Sequence, residues 1–72
     1  MTLFEETILK MLRKGAVLDP VDFQERLAMH ANTQLSRPQL LERLVLMENQ
    51  DLIEATDIGY RITPKGRELL QQ

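Results

Sequence analysis

The sequence predicts an α+β domain in which three helices precede a β-hairpin and a short helix closes the chain. Three observations support this prediction. Apolar residues recur at helical spacing in three segments, and each segment follows a residue that can cap a helix. The period shortens to two after residue 51, where two short strands flank a turn. A Thr-Pro pair then joins the second strand to a last helical segment.

The first helix is predicted over residues 3–14. Thr2 and Glu5 have the spacing of a capping box, in which each side chain bonds the backbone N–H of the other residue. An apolar stripe at helical spacing follows, formed by Phe4, Ile8, Met11 and Leu12. Leu3 and Leu9 fall outside this stripe, which leaves them for contact with a second chain.

The second and third helices are predicted over residues 20–31 and 37–49. Asp19 is a good N-cap for the second helix, and a proline follows it. The predicted buried stripe of that helix is Phe23, Leu27, Ala28 and Ala31. Ser36 and Gln39 form a capping box at the start of the third helix. Its predicted buried stripe is Leu40, Leu44 and Met47.

The strands of the hairpin are predicted over residues 52–55 and 60–63. The turn between them ends in Gly59, where a positive φ is expected. Alternation along the second strand places its two apolar side chains on one side, and these are Tyr60 and Ile62. Because an isolated hairpin is marginally stable, this one is expected to lie on the helices.

The final helix is expected to start at Pro64, with Thr63 as its cap. Leu69 and Leu70 are expected to bring that helix back onto the core. No segment is long enough to act as a linker, so residues 1–72 are predicted to form one domain.

Composition limits the classes of protein to consider. The chain has 72 residues, of which 43% are hydrophobic and 28% charged, the balance of a folded globular protein. It has no cysteine, which excludes disulfides and thiolate metal sites and fits a cytoplasmic setting. No apolar run approaches the roughly 18–20 residues that span a bilayer, so no membrane association is expected. The net charge of −2 is unusual for a nucleic-acid binder, so the positions of the cations matter more than their number.

The segment "LSRPQLLERLVLMENQDLIEATDIGYRITPKGRELL" resembles the winged helix-turn-helix of transcription regulators of the MarR and PadR groups. The resemblance rests on Leu35-Ser36 and on the Leu-rich third helix that follows. Residues 51–53 correspond to a "GLI" segment of the family, and residues 60–66 correspond to its "Y-x-L-T-x-K-G" segment. It implies a small winged helix-turn-helix fold and sequence-specific DNA binding in transcription regulation. Helix 37–49 would then enter the major groove, and the 52–63 hairpin would act as the wing.

The residues expected to contact duplex DNA lie in two groups. On the third helix, arginine can make bidentate hydrogen bonds to guanine and glutamine can make them to adenine. The N-terminus of the helix can bind a phosphate. These residues are Ser36, Arg37, Gln39 and Arg43. Arg61, Lys65 and Arg67 follow the wing and are expected on phosphates. The alternative for each of these cations is an ordinary solvated side chain.

Three apolar residues of the third helix occupy places that are usually polar in recognition helices: Leu41, Val45 and Leu46. Two interpretations are open. Either the helix is buried on a wide face, or these side chains meet another protein chain. The second interpretation gives an alternative function, a winged-helix module for protein–protein interaction or homodimerisation without DNA binding. Glu42 and Glu48 weaken the case for DNA, and the acidic pI of about 5.3 together with the leftover apolar residues favours this alternative.

No arrangement of residues indicates catalysis or a cofactor. His30 is the single histidine, and no carboxylates stand at ligand spacing around it, so no metal site is predicted. Ser36 has no base set up beside it and is better explained as a cap. No Gly-rich phosphate loop is present. The sequence therefore predicts a protein that is not an enzyme and holds no cofactor.

Overall fold

The computed structural model describes residues 1–71. Its elements, in chain order, are α1 (Leu3–Leu12), α2 (Pro20–His30), α3 (Arg37–Asn49), β1 (Ile53–Thr56), β2 (Gly59–Ile62) and α4 (Pro64–Leu70). The two strands pair antiparallel. Four helices and one hairpin, in the predicted order, confirm the small α+β domain.

Side chains close the N-termini of the first three helices. The expected capping boxes of α1 and α3 are both formed, and α2 has a third box between Asp19 and Asp22. Each box satisfies backbone N–H groups that have no partner inside the helix. The local sequence therefore determines where these helices begin.

Two helices end earlier than predicted. α1 stops at Leu12 rather than at residue 14, because Arg13 N–H bonds the Lys10 carbonyl and Gly15 N–H bonds the Leu12 carbonyl. Both are three-residue bonds that tighten the last turn. α2 stops one residue early, and Asn32 follows it with a positive φ of 49°. Asparagine tolerates that conformation, so the helix can end before it.

The core lies between α1, α2, α3, the hairpin and α4. Its buried apolar side chains are Ile8, Leu9, Leu12, Leu18, Phe23, Leu27, Leu40, Leu44, Met47, Leu52, Ile53 and Ile62. The prediction for Leu9 is wrong, since its side chain is fully buried. α4 folds back over α1 and covers the side of the helix that carries Leu9. The prediction for Ala28 and Ala31 is also wrong, since both are exposed.

The hairpin is displaced by one residue toward its turn. Ile53 pairs with Ile62 and Thr56 pairs with Gly59, so the loop is only two residues long. Tyr60 is half-buried and Ile62 is buried, as the alternation predicted. Thr63 N–H still bonds the Leu52 carbonyl beyond the strand ends.

Leu18 forms an isolated β-bridge with the hairpin, which was not predicted from the sequence. Its N–H bonds the Tyr60 carbonyl at 3.1 Å, and its carbonyl accepts from Tyr60 N–H at 2.8 Å. Gly59 has a φ of +153°, and a Cβ there would stand 2.6 Å from the Leu18 carbonyl oxygen. Glycine at this position therefore lets the segment between α1 and α2 lie against the hairpin.

Thr63 connects the hairpin to α4. Its side chain is buried, and its hydroxyl donates to the Asp51 carbonyl and accepts from Gly66 N–H. Leu69 and Leu70 then pack against the core as half-buried residues, which confirms the expected return of the last helix.

Candidate nucleic-acid interface

Helix α3 presents most of its surface to solvent. Leu40, Leu44 and Met47 form one buried row that holds it to the core. At about 100° per residue, Glu42 lies on the side opposite this row. The outermost direction of the predicted recognition helix is therefore acidic.

The start of α3 is held by α2. Gln24 donates to the Leu35 carbonyl at 2.9 Å and accepts from Arg37 Nε at 3.0 Å. Ser36 and Gln39 bond each other's backbone N–H groups. These contacts orient the first turn, and they use one polar atom of each residue there that was predicted to meet DNA: Ser36 Oγ, Arg37 Nε and Gln39 Oε1.

Arg43 leans against α1. Its guanidinium carbon lies 4.9 Å from the centre of the Phe4 ring, within the range of a cation–π contact. The same side chain lines a cleft with Gln39, Glu42 and Leu46. At an exposed site such a contact is worth about 0.5–1 kcal/mol, so a nucleic acid can displace it at low cost.

The three apolar residues of α3 are exposed rather than buried on a wide face. Leu41, Val45 and Leu46 retain 37%, 45% and 53% of their accessible surface. They do not form one surface, however. Leu41 and Val45 lie about 40° apart around the axis, whereas Leu46 lies about 100° beyond Val45. Leu46 instead lines a cleft beside Phe4 and Arg43.

The second predicted group lies on β2 and α4. Arg61 Nε donates to Glu54 across the two strands, and both side chains are about half exposed. Arg67 Nη1 donates to the Arg13 carbonyl at 2.6 Å. Lys65 is exposed in the first turn of α4.

The predicted residues therefore fall into two clusters. Gln39 and Arg43 line a cleft on α3, while Arg61 and Arg67 line another cleft at the base of the hairpin. The side chains that hold these residues in place were not predicted to do so: Gln24, Phe4 and Glu54. The helical spacing of Phe4 indicated packing on the core but not its contact with Arg43, and nothing in the spacing of Gln24 and Glu54 distinguishes them from other surface residues.

Across residues 1–71, no helix combines the length and the apolar character that crossing a membrane requires. The chain matches no protein-family model, no curated protein and no solved structure.

Proposed function

We propose that this chain is a winged-helix domain that binds duplex DNA, with α3 in the major groove and the β1–β2 hairpin as its wing. In this proposal Arg37, Gln39 and Arg43 contact bases, and the cations near the hairpin contact phosphates. The role is that of a small transcription regulator.

The observation that carries the proposal is the presentation of α3. The helix has 13 residues, and a single buried row attaches it to the core. Its first turn is capped and is tied to α2 through Gln24. A major groove about 12 Å wide admits one α-helix, and α3 offers a rigid one whose N-terminal half is solvent-exposed.

The contacts that now occupy the arginines do not oppose this role. Arg37 and Arg43 each use one exposed contact, to Gln24 and to Phe4. A cation–π contact contributes about 0.5–1 kcal/mol at a surface, while a good bidentate contact to a base is worth about 1–3 kcal/mol. Exchange of Arg43 from the Phe4 ring to a base edge is therefore favourable, and Arg37 needs only its terminal nitrogens for a base.

Duplex binding tests the proposal directly. We expect the wild-type chain to bind mixed-sequence duplex DNA at low salt. With about four phosphate contacts, log K should fall with log salt at a slope of about −3.6. Fluorescence anisotropy of a labelled duplex across a salt series measures the slope. No detectable binding at 20 mM salt would refute the proposal.

Selection from a random duplex library tests base contact separately. Arg43→Ala should relax the preference at one base position of the selected site by about 1–3 kcal/mol. Arg26→Ala is the matched control, because it removes an exposed arginine from α2. An unchanged preference in the Arg43 variant would contradict the assignment of α3 to the groove.

A second candidate function is self-association through α3, and the exposure of Leu41 and Val45 favours it. These two side chains share one flank of the helix. Paired flanks of this kind suit a two-fold dimer, in which the same surface is used by both copies.

Sedimentation velocity tests this candidate. Leu41→Glu with Val45→Glu should convert a dimer to a monomer, while circular dichroism stays unchanged. Leu46→Glu is the control, because Leu46 lies on the other flank. A wild-type chain that sediments as a monomer at 100 μM would exclude the candidate.

A further inference from the structure

Charge is segregated in this molecule. Five of the nine Lys and Arg residues lie just after α1, in β2 and in α4, and we call this set the basic pole: Arg13, Lys14, Arg61, Lys65 and Arg67. Two carboxylates accompany them: Glu54 of β1 lines a cleft with Arg61 and Arg67, and Glu68 lies in α4. The rest of the chain carries four cations against nine carboxylates. A net charge of −2 therefore combines a pole of +3 with a remainder of −5.

Arg67 joins the parts of the basic pole. It lines one cleft with Arg13 and another cleft with Arg61, so Arg67 is common to the two clefts. Lys14 and Lys65 are exposed and adjoin Gly15 and Pro64, which line the second cleft with Arg61 and Arg67. The pole is thus contributed by three elements that are distant in sequence.

Two arginines of the basic pole are held by hydrogen bonds but keep unused N–H donors. Arg61 uses Nε on Glu54, and Arg67 uses Nη1 on the Arg13 carbonyl. A guanidinium has five N–H donors. Each of these arginines uses one of them in the bond just given, so it has further donors for an oxyanion. Two N–H groups of one guanidinium can donate in parallel to two oxygens of a phosphate.

Asp51 is joined to the start of α4 through its backbone carbonyl, which accepts from Thr63. If its carboxylate is counted with the pole, the charge of the pole is still +2. In contrast, α3 carries two arginines and two glutamates, and Glu42 faces outward. Attraction for a polyanion therefore comes from the pole rather than from the predicted recognition helix.

We propose that the basic pole is the main phosphate-binding surface of the chain, that it takes the sugar–phosphate backbone of duplex DNA, and that Arg13 and Lys14 belong to it. This inference rests on the proposed function. It assigns most of the counterion release to the pole and leaves α3 to contact bases. A membrane is the poorer partner, because the large exposed apolar side chains lie outside the pole: Met1, Leu3, Val21, Met29, Leu41, Val45, Leu46 and Ile58.

The test compares two variants that each change the charge by two units. Arg13→Ala with Lys14→Ala removes two cations from the pole and keeps the Arg13 carbonyl on which Arg67 depends. Arg26→Glu makes the same change in charge on α2. The pole variant should lower the slope of log K against log salt by about 1.8 and weaken binding at 0.1 M salt about tenfold or more. Arg26→Glu should leave the slope unchanged.

Lys14→Glu serves as a second pole variant if the double variant does not fold. Equal slopes for the pole variants and Arg26→Glu would overturn the inference and leave the proposed function intact. Absence of wild-type binding to DNA would reject both. Vesicles rich in phosphatidylserine provide a further arm, and binding to them at the affinity found for DNA would overturn the choice of partner.

Discussion

At the scale of single residues, several positions contribute more to the stability of the fold than their residue type suggests. Gly66 lies inside α4, where alanine normally adds about 1 kcal/mol of stability over glycine. A Cβ at this position would collide with the Leu52 carbonyl and crowd the Ile62 side chain. The close approach of α4 to the end of α3 depends on the missing side chain.

Gly66→Ala should therefore destabilise the fold, against the usual helix propensity. We expect the free energy of unfolding to fall by about 1–3 kcal/mol, the range for overpacking a buried site. Urea denaturation followed by circular dichroism measures it. Glu68→Ala, an exposed position in the same helix, should stay within about 0.5 kcal/mol. A Gly66 variant more stable than the wild type would show that the approach is not tight.

Thr63 is a second such position, because its one hydroxyl lies in a buried residue and serves two backbone partners. It donates to the Asp51 carbonyl and accepts from Gly66 N–H. Thr63→Val keeps the shape and leaves both partners unsatisfied, so we expect a loss of about 1–3 kcal/mol. Thr63→Ser keeps the hydroxyl and should recover most of that loss. Equal stabilities for Val and Ser would refute the role given to the hydroxyl.

At the scale of elements, α3 shows how a helix ends where the chain must turn sharply. Leu52 N–H bonds the Met47 carbonyl, and Asp51 adopts a φ of +62°. This is the pattern of a Schellman motif, whose left-handed position is most often glycine. Aspartate tolerates the conformation at some cost in energy. That position directs β1 back across the helices.

Asp51→Gly should therefore stabilise the domain by about 0.5–1 kcal/mol, since it removes the left-handed strain. Asp51→Ala should be less stable than Asp51→Gly by about 1 kcal/mol or more for the same reason. Thermal unfolding of the three proteins ranks them. If alanine proved the most stable, the energy of this turn would have another origin.

The flanks of α3 contribute less to the free energy of unfolding than its buried row does. Leu44→Ala should cost about 2–5 kcal/mol, because the side chain is fully buried in the core. Leu41→Ala should change stability by no more than about 0.5 kcal/mol in the monomer. Denaturation at low protein concentration compares them. A large loss for Leu41 would mean that it packs inside the fold.

At the scale of the whole molecule, residues 1–71 form one body with a radius of gyration of 11.0 Å. That equals the value of about 11 Å expected for a single compact domain of this length. The hairpin is tied to it through Leu18 and Thr63, and the rings of Tyr60 and Phe23 lie 6.3 Å apart. Strands and helices therefore share one core.

Cooperative unfolding should follow from this shared core. The fluorescence of Tyr60, the single tyrosine, reports on the hairpin, and far-ultraviolet circular dichroism reports on the helices. We expect the two signals to give the same midpoint in urea. An earlier transition in the tyrosine signal would show that the hairpin opens independently of the helices.

The sequence by itself determined the order of the elements and the starts of the helices, because capping residues act through local bonds. Ser36 and Gln39 cap the start of α3 wherever that helix packs. Interactions between distant segments were decided only by the tertiary structure. Leu9 is core because α4 returns over α1, and Leu18 pairs with Tyr60 because Gly59 leaves room for its carbonyl.

The candidate interface divides in the same way. Periodicity placed Leu40, Leu44 and Met47 inward and so left Arg37 and Arg43 on the surface. It could not show that Leu46 has Phe4 and Arg43 as neighbours, or that Arg13 adjoins Arg67. Residues 13 and 67 come together only through the packing of α4 on α1, and no local pattern in either segment encodes that contact.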